Sequence, residues 1–217
     1  MKTAVLIGAS GLIGNFLLYD LLAESSYQKV IILVRKLLPI EHYKLTQVVT
    51  DFADENILKA NIIGDDLFIC TGTTIKKAGS KEAFKAIDWH LPFSIAQVAK
   101  QNSIQKVLLV SASGANEKSL FFYGRIKGFL ENSLQKLNLP QLIIFRPSLL
   151  LGNRKEKRLA EKIFQKIFFA ISFLFIGKLK KYKGIEAQQV AKKMNEIAQS
   201  SSNQKVIFFE NNDLFQK

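Results

Sequence analysis

A short apolar run, Ala4 to Ile7, ends in Gly8-Ala9-Ser10-Gly11-Leu12-Ile13-Gly14 and passes straight into apolar residues at helical spacing. No other feature restricts the fold so tightly. A strand that must turn sharply into a helix needs residues without a Cβ at the bend. A helix opening on such a turn presents unused backbone N–H groups to an anion. The GxxGxxG spacing therefore predicts a β-turn-α unit that cradles a dinucleotide pyrophosphate, with Gly8, Ser10, Gly11, Leu12, Ile13 and Gly14 as the contacting residues.

The rest of the chain repeats this alternation. Apolar runs closed by turn residues predict strands at Ala4–Ile7, Val30–Val34, Gln47–Thr50, Leu67–Cys70, Val107–Val110, Leu142–Phe145 and Val206–Phe209. Helical periodicity falls between them, at Leu12–Leu22, Lys81–Lys100, Tyr123–Leu137, Arg158–Phe175 and Glu186–Ala198. Strands apolar on both faces belong to a parallel sheet covered on both sides. The expected fold is an α/β doubly wound parallel sheet of about seven strands, a Rossmann arrangement. It forms a single domain over 1–217, in which 147–217 supply a small, mostly helical cap on the substrate side.

At 217 residues and 48% hydrophobic, the chain suits one domain with a full core. Its longest apolar stretch, Ile167 to Ile176, is ten residues, against the roughly 20 needed to span a bilayer. A single cysteine, Cys70, excludes an internal disulfide, and two histidines far apart suggest no metal site. Met1-Lys2 leads into the first strand without a signal-peptide pattern, so a cytoplasmic location is expected. The net charge of +13 favours anionic partners. Ten basic residues against two acidic ones between Arg154 and Lys183 carry +8 of it. The aromatic residues there sit inside apolar runs, not interleaved with the lysines, so nucleic acid is an unfavoured partner.

The end of the second strand selects the cofactor. An acid there would bind the ribose 2′-OH of NAD, whereas Val34-Arg35-Lys36 suits the 2′-phosphate of NADP. NADP(H) is therefore expected over NAD(H), held by Arg35 and Lys36, with Asp51 and Phe52 after the third strand at the adenine. Of the five tyrosines only Tyr123 has a lysine four residues on, and Tyr123-Gly124-Arg125-Ile126-Lys127 opens the helix after the fifth strand. That spacing puts phenol and ammonium on one helix face. Free tyrosine, with a pKa of about 10, is a weak acid-base group at neutral pH; a neighbouring ammonium stabilises its phenolate and can also hold the nicotinamide ribose, so Tyr123 and Lys127 are expected at the cofactor as well. Ser111 and Ser113, at the end of the fifth strand, are the candidate donors to a substrate carbonyl oxygen.

Together these stretches resemble an atypical short-chain dehydrogenase/reductase of the Tat-interacting-protein-like oxidoreductase family. The resemblance runs through the glycine turn and Val34-Arg35-Lys36, then Cys70-Thr71-Gly72-Thr73-Thr74 with Lys77-Ala78-Gly79-Ser80. It continues through Val110 to Ala115, Tyr123 to Gly128, Phe145 to Arg154 and Ile185 to Met194. It implies Ser111, twelve residues before Tyr123, as the catalytic serine, with Ser113 second. Thr71, Gly72 and Thr73 would line the cofactor, and Pro147 and Ser148 its nicotinamide end. Many members carry a water-holding asparagine where this chain reads Ile87-Asp88-Trp89-His90, and Asp88 is the candidate substitute. A helix-surface carboxylate is the plain alternative for Asp88, and Cys70 is read as a small buried residue without reactivity.

The function expected is NADP(H)-dependent hydride transfer to or from a small carbonyl or alcohol by Ser111, Tyr123 and Lys127. The alternative is an NADP(H)-binding regulatory or interaction protein with little turnover. The apolar, lysine-flanked stretch 163–182 is expected to be a sticky cap helix that contacts an acidic membrane or a second copy in a homodimer.

Overall fold

In the computed structural model of the chain, the residues described are 2–151 and 184–215. Seven parallel strands form one sheet in the order β3-β2-β1-β4-β5-β6-β9: β1 Lys2–Ile7, β2 Tyr27–Val34, β3 Leu45–Val49, β4 Asp66–Ile69, β5 Lys106–Val110, β6 Gln141–Arg146 and β9 Val206–Glu210. A two-residue ribbon, β7 Leu150–Leu151 with β8 Ile185–Glu186, stands apart from it.

The alternation of each strand sorts its side chains onto two faces. Ala4, Leu6, Ile32, Phe68, Leu108 and Phe145 pack on one side against α1 (Leu12–Ala23) and a C-terminal helix, α7 (Ala187–Gln199). Val5, Ile7, Leu33, Ile69, Leu109 and Ile144 pack on the other against α2 (Glu55–Asn61), α5 (Leu91–Gln101) and α6 (Phe122–Lys136). Of the stretch 147–217, residues 187–199 and 206–210 are thus built into the sandwich itself. The predicted helix at 158–175 and the proposed contact surface at 163–182 lie outside the described residues.

One predicted helix is broken. The span 81–100 consists of α4 (Lys81–Lys85), a π-helical turn at Ala86–His90, and α5, with a short α3 (Ile75–Ala78) before it. The widened turn holds Asp88, which is fully buried. Asp88 continues the buried face of Phe84, Pro92 and Ile95, and its carboxylate meets a cation there.

Candidate active site

Because all seven strands are parallel, the loops leaving their C-terminal ends gather along one edge of the sheet. The order reverses between β1 and β4, and the crevice opened there is where such sheets take a ligand. Gly8 leaves β1 at a φ of 90°, and a Cβ on it would lie 2.6 Å from the Cys70 carbonyl oxygen at the end of β4. A Cβ on Gly14 would lie 2.1 Å from the Gly8 carbonyl oxygen. Both glycines are therefore required to seat α1 against the turn. The helix's first hydrogen bond runs from the Asn15 amide to the Gly11 carbonyl (2.9 Å), so the amides of Leu12 and Ile13 lie before its ladder starts. Gly11 supplies no side-chain cap and the first turn has no acidic residue, so nothing there competes with an anion.

Across the crevice the Thr71 hydroxyl oxygen is buried without a hydrogen-bond partner. An orphaned polar atom on the residue whose backbone N abuts Gly8 fits a polar cofactor. Ser10 is exposed at the turn, and Arg35 and Lys36 are exposed beyond β2. Asp51, also exposed, accepts the Ala53 amide (2.9 Å), and half-buried Phe52 holds a φ of 69°. Thr73 and Gly72 continue the loop from Thr71; Pro147 accepts the Ser113 amide (2.8 Å), and the Ser148 amide bonds Asn211 (2.9 Å). Cys70, expected as a buried residue, is half-buried, and desolvation pushes its thiol up to about 12.

Helix α6 carries the reactive residues down one face. Tyr123, at the mouth, is 42% exposed and is buttressed by the Phe84 ring 5.8 Å away. One turn in, Lys127 is 2% exposed and its Nζ meets Asp88 Oδ1 at 2.8 Å. Burial opposes the lysine's charge, but Tyr123, Asp88 and Glu131 outweigh it and hold the ammonium above the ordinary lysine range. The other Asp88 oxygen accepts the Thr73 amide at 2.8 Å. Asp88 is therefore a buried ionic partner of Lys127, and the surface-carboxylate alternative does not hold.

One further turn in, Glu131 accepts the Ser111 hydroxyl at 2.5 Å and takes two bonds from Arg146, whose third goes to Glu210 at 2.7 Å. The Ser111 hydroxyl is thereby paired with a buried carboxylate. Two residues on, half-buried Ser113 lines a cleft of about 350 Å³ with Gly114, Ala115, Arg146, Glu210 and Asn212. Sequence reasoning missed Glu131 and Arg146. The i, i+4 continuation from Tyr123 through Lys127 to Glu131 is the signal that could have found the first.

The family model described as NAD(P)H-binding matches residues 8–206, from the glycine turn to the last strand. The chain belongs to this NAD(P)H-binding family. Among curated relatives of this NAD(P)H-binding protein, "Protein FMP52, mitochondrial" of Debaryomyces hansenii is 38% identical over 76% of this chain and 74% of its own. The Candida albicans protein of that name is 33% identical over 99% and 96%. "Protein HTATIP2" of Rattus norvegicus is 33% identical over 77% and 70%, which bears out the resemblance read from the motifs. Solved structures share the fold: MoeE5 in complex with UDP-glucose and NAD superposes at a TM-score of 0.72 with 14% identity, covering 98% of this chain and 79% of MoeE5. Uronate dehydrogenase from Agrobacterium tumefaciens superposes at 0.68 with 13% identity, covering 96% and 76%. One expectation is corrected. The yeast relatives are named as mitochondrial proteins, which overturns the cytoplasmic assignment.

Proposed function

We propose that the protein is an NADP(H)-dependent oxidoreductase acting on a small carbonyl or alcohol, with Tyr123 as acid-base and Lys127 as its electrostatic partner. The observation that carries this reading is the Tyr123–Lys127 pair, set on one face of α6 at the mouth of the parallel sheet's C-terminal edge. The cofactor, when bound, supplies or accepts the hydride. The glycine turn and the Leu12 and Ile13 amides hold its pyrophosphate, Arg35 and Lys36 its 2′-phosphate, and Thr71 a polar edge with its unpartnered hydroxyl. Tyr123 gives a proton to the carbonyl oxygen, or takes one from the alcohol.

The carbonyl-orienting hydroxyl is assigned to Ser113 in place of Ser111, because Glu131 engages the Ser111 proton whereas Ser113 lines the cleft. The names of the yeast relatives support a mitochondrial setting for this activity.

Tyr123→Phe is the test. NADPH oxidation with aromatic aldehydes and ortho-quinones should fall by at least 100-fold, while NADPH affinity stays within threefold. A variant that keeps most of the wild-type rate would remove Tyr123 from the chemistry. A wild-type protein that binds NADPH and reduces no carbonyl would favour the regulatory reading.

A further inference from the structure

The π-helical turn at Ala86–His90 is the one departure from α-geometry between α4 and α5, and such turns gather at functional sites. Within it Asp88 is fully buried, between two elements distant in sequence. Asp88 Oδ2 accepts the amide of Thr73, in the loop that leaves β4 at the crevice. Asp88 Oδ1 meets the Lys127 ammonium on α6. Gly72 neighbours the same carboxylate: a Cβ there would sit in ordinary contact with Oδ1, at 3.6 Å. The orphaned Thr71 hydroxyl sits in the same loop, two residues before the amide that Asp88 holds.

We propose that Asp88 is a positioning residue that ties the nucleotide-facing loop Thr71–Thr73 to Lys127, so that the cofactor cradle and the Tyr123–Lys127 pair are set by one side chain. This deepens the oxidoreductase reading and rests on it. A carboxylate suits the task because one oxygen accepts a neutral amide while the other sets its charge against an ammonium, and a buried ammonium left without a counter-charge is costly. The charged and titratable groups facing Lys127 are Asp88 from the π-turn and Tyr123 and Glu131 from α6. From β6, Arg146 reaches this group only through Glu131, whose charge it offsets.

The two halves of the clamp separate by substitution. In Asp88→Asn the amide oxygen still accepts the Thr73 N–H, but the counter-charge is gone. In nucleotide-free protein, the Lys127 Nζ resonance followed by ¹⁵N NMR should then titrate at least one pH unit lower than in the wild type. NADPH affinity should stay within threefold, and carbonyl reduction at pH 7 should fall about tenfold with an altered pH profile. Asp88→Ala releases the Thr73 amide as well and should weaken NADPH about tenfold further. A Lys127 titration unchanged in Asp88→Asn, or wild-type NADPH affinity in Asp88→Ala, overturns the proposal.

Should Asp88→Asn not fold, Asp88→Asn with Lys127→Met removes both charges. In the Lys127→Met background, Asp88→Ala must still bind NADPH about tenfold more weakly than Asp88→Asn; equal affinity overturns the tie. A Tyr123→Phe protein with full turnover would undo the hydride-transfer reading alone, leaving the lysine titration and nucleotide affinities to judge Asp88 separately.

Discussion

Replacing Gly14 by alanine sets two effects of opposite sign against each other. Gly14 lies in the first turn of α1, where alanine is favoured over glycine by about 1 kcal/mol on helix propensity. The added Cβ would lie 2.1 Å from the carbonyl oxygen and 2.8 Å from the carbonyl carbon of Gly8, and 3.2 Å from the Cα of Ala9. These are backbone atoms of a turn already pinned by the Gly11 amide on the Gly8 carbonyl at 2.9 Å, so no rotamer relieves the clash. Overpacking that moves backbone costs roughly 1–3 kcal/mol, and here the upper end applies. The net loss is about 2 kcal/mol, which in a chain of this size lowers Tm by about 4–8 °C.

The helix start must also retreat from the crevice. Losing two amide bonds to a bound pyrophosphate, each worth about 1.5 kcal/mol or more, weakens NADPH about 100-fold. Thermal unfolding by circular dichroism and NADPH fluorescence titration measure both effects. Gly79→Ala is the control: unlike Gly14 it sits at a φ of 85°, but nothing lies within 4 Å of the added Cβ, so it should lose about 1 kcal/mol of stability and no nucleotide affinity. A Gly14→Ala protein as stable as the wild type, binding NADPH within threefold, would refute the close-approach reasoning.

Arg35→Ala should weaken NADPH by about tenfold and leave NADH unchanged, since only the 2′-phosphate loses a partner; equal losses for both nucleotides would place Arg35 elsewhere. The Cys70 thiol, held near 12 by burial, should react with iodoacetamide at pH 7 at least about 100-fold more slowly in the folded protein than in urea. Asp20, on α1, has a pKa raised by burial that Lys192 of α7 only partly offsets, and one of its oxygens has no hydrogen-bond partner. A carboxyl group whose folded pKa lies above its unfolded one costs stability when ionised, and that cost disappears as pH falls through the folded value. Asp20→Asn should therefore raise Tm at pH 7 and lose the advantage near pH 4; a rise of equal size at both pH values would exclude ionisation as the cause.

Local patterns were enough wherever neighbours in sequence were also neighbours in space. The turn at Gly8, Gly11 and Gly14, the seven strands to within a few residues, and the Tyr123–Lys127 pair were all legible for that reason. Helix α2 escaped because it buries only Leu58 deeply, although Asp54, which caps it by accepting the Asn56 amide, was a usable start signal. The role of Asp88 could not be read locally. A π-turn is stabilised by the partner it brings inward, and Lys127 lies 39 positions away. The partner of Ser111 was hidden in the same way, because Glu131 lies 20 positions on, in α6.

The pairing of β6 with β9 has a consequence for the order in which the molecule is made. The Arg146–Glu210 bond spans 64 positions, and everything that lines the crevice at Gly8, Thr71 and Thr73 precedes it in the chain. Sheet contacts over so long a separation are slow to close, and domains synthesised from their N-termini order their early parts first. During synthesis the nucleotide half can therefore assemble, and be steadied by its ligand, while the wall behind Ser113 still lacks its outer strand. The two halves of this site have different ages in every newly made molecule.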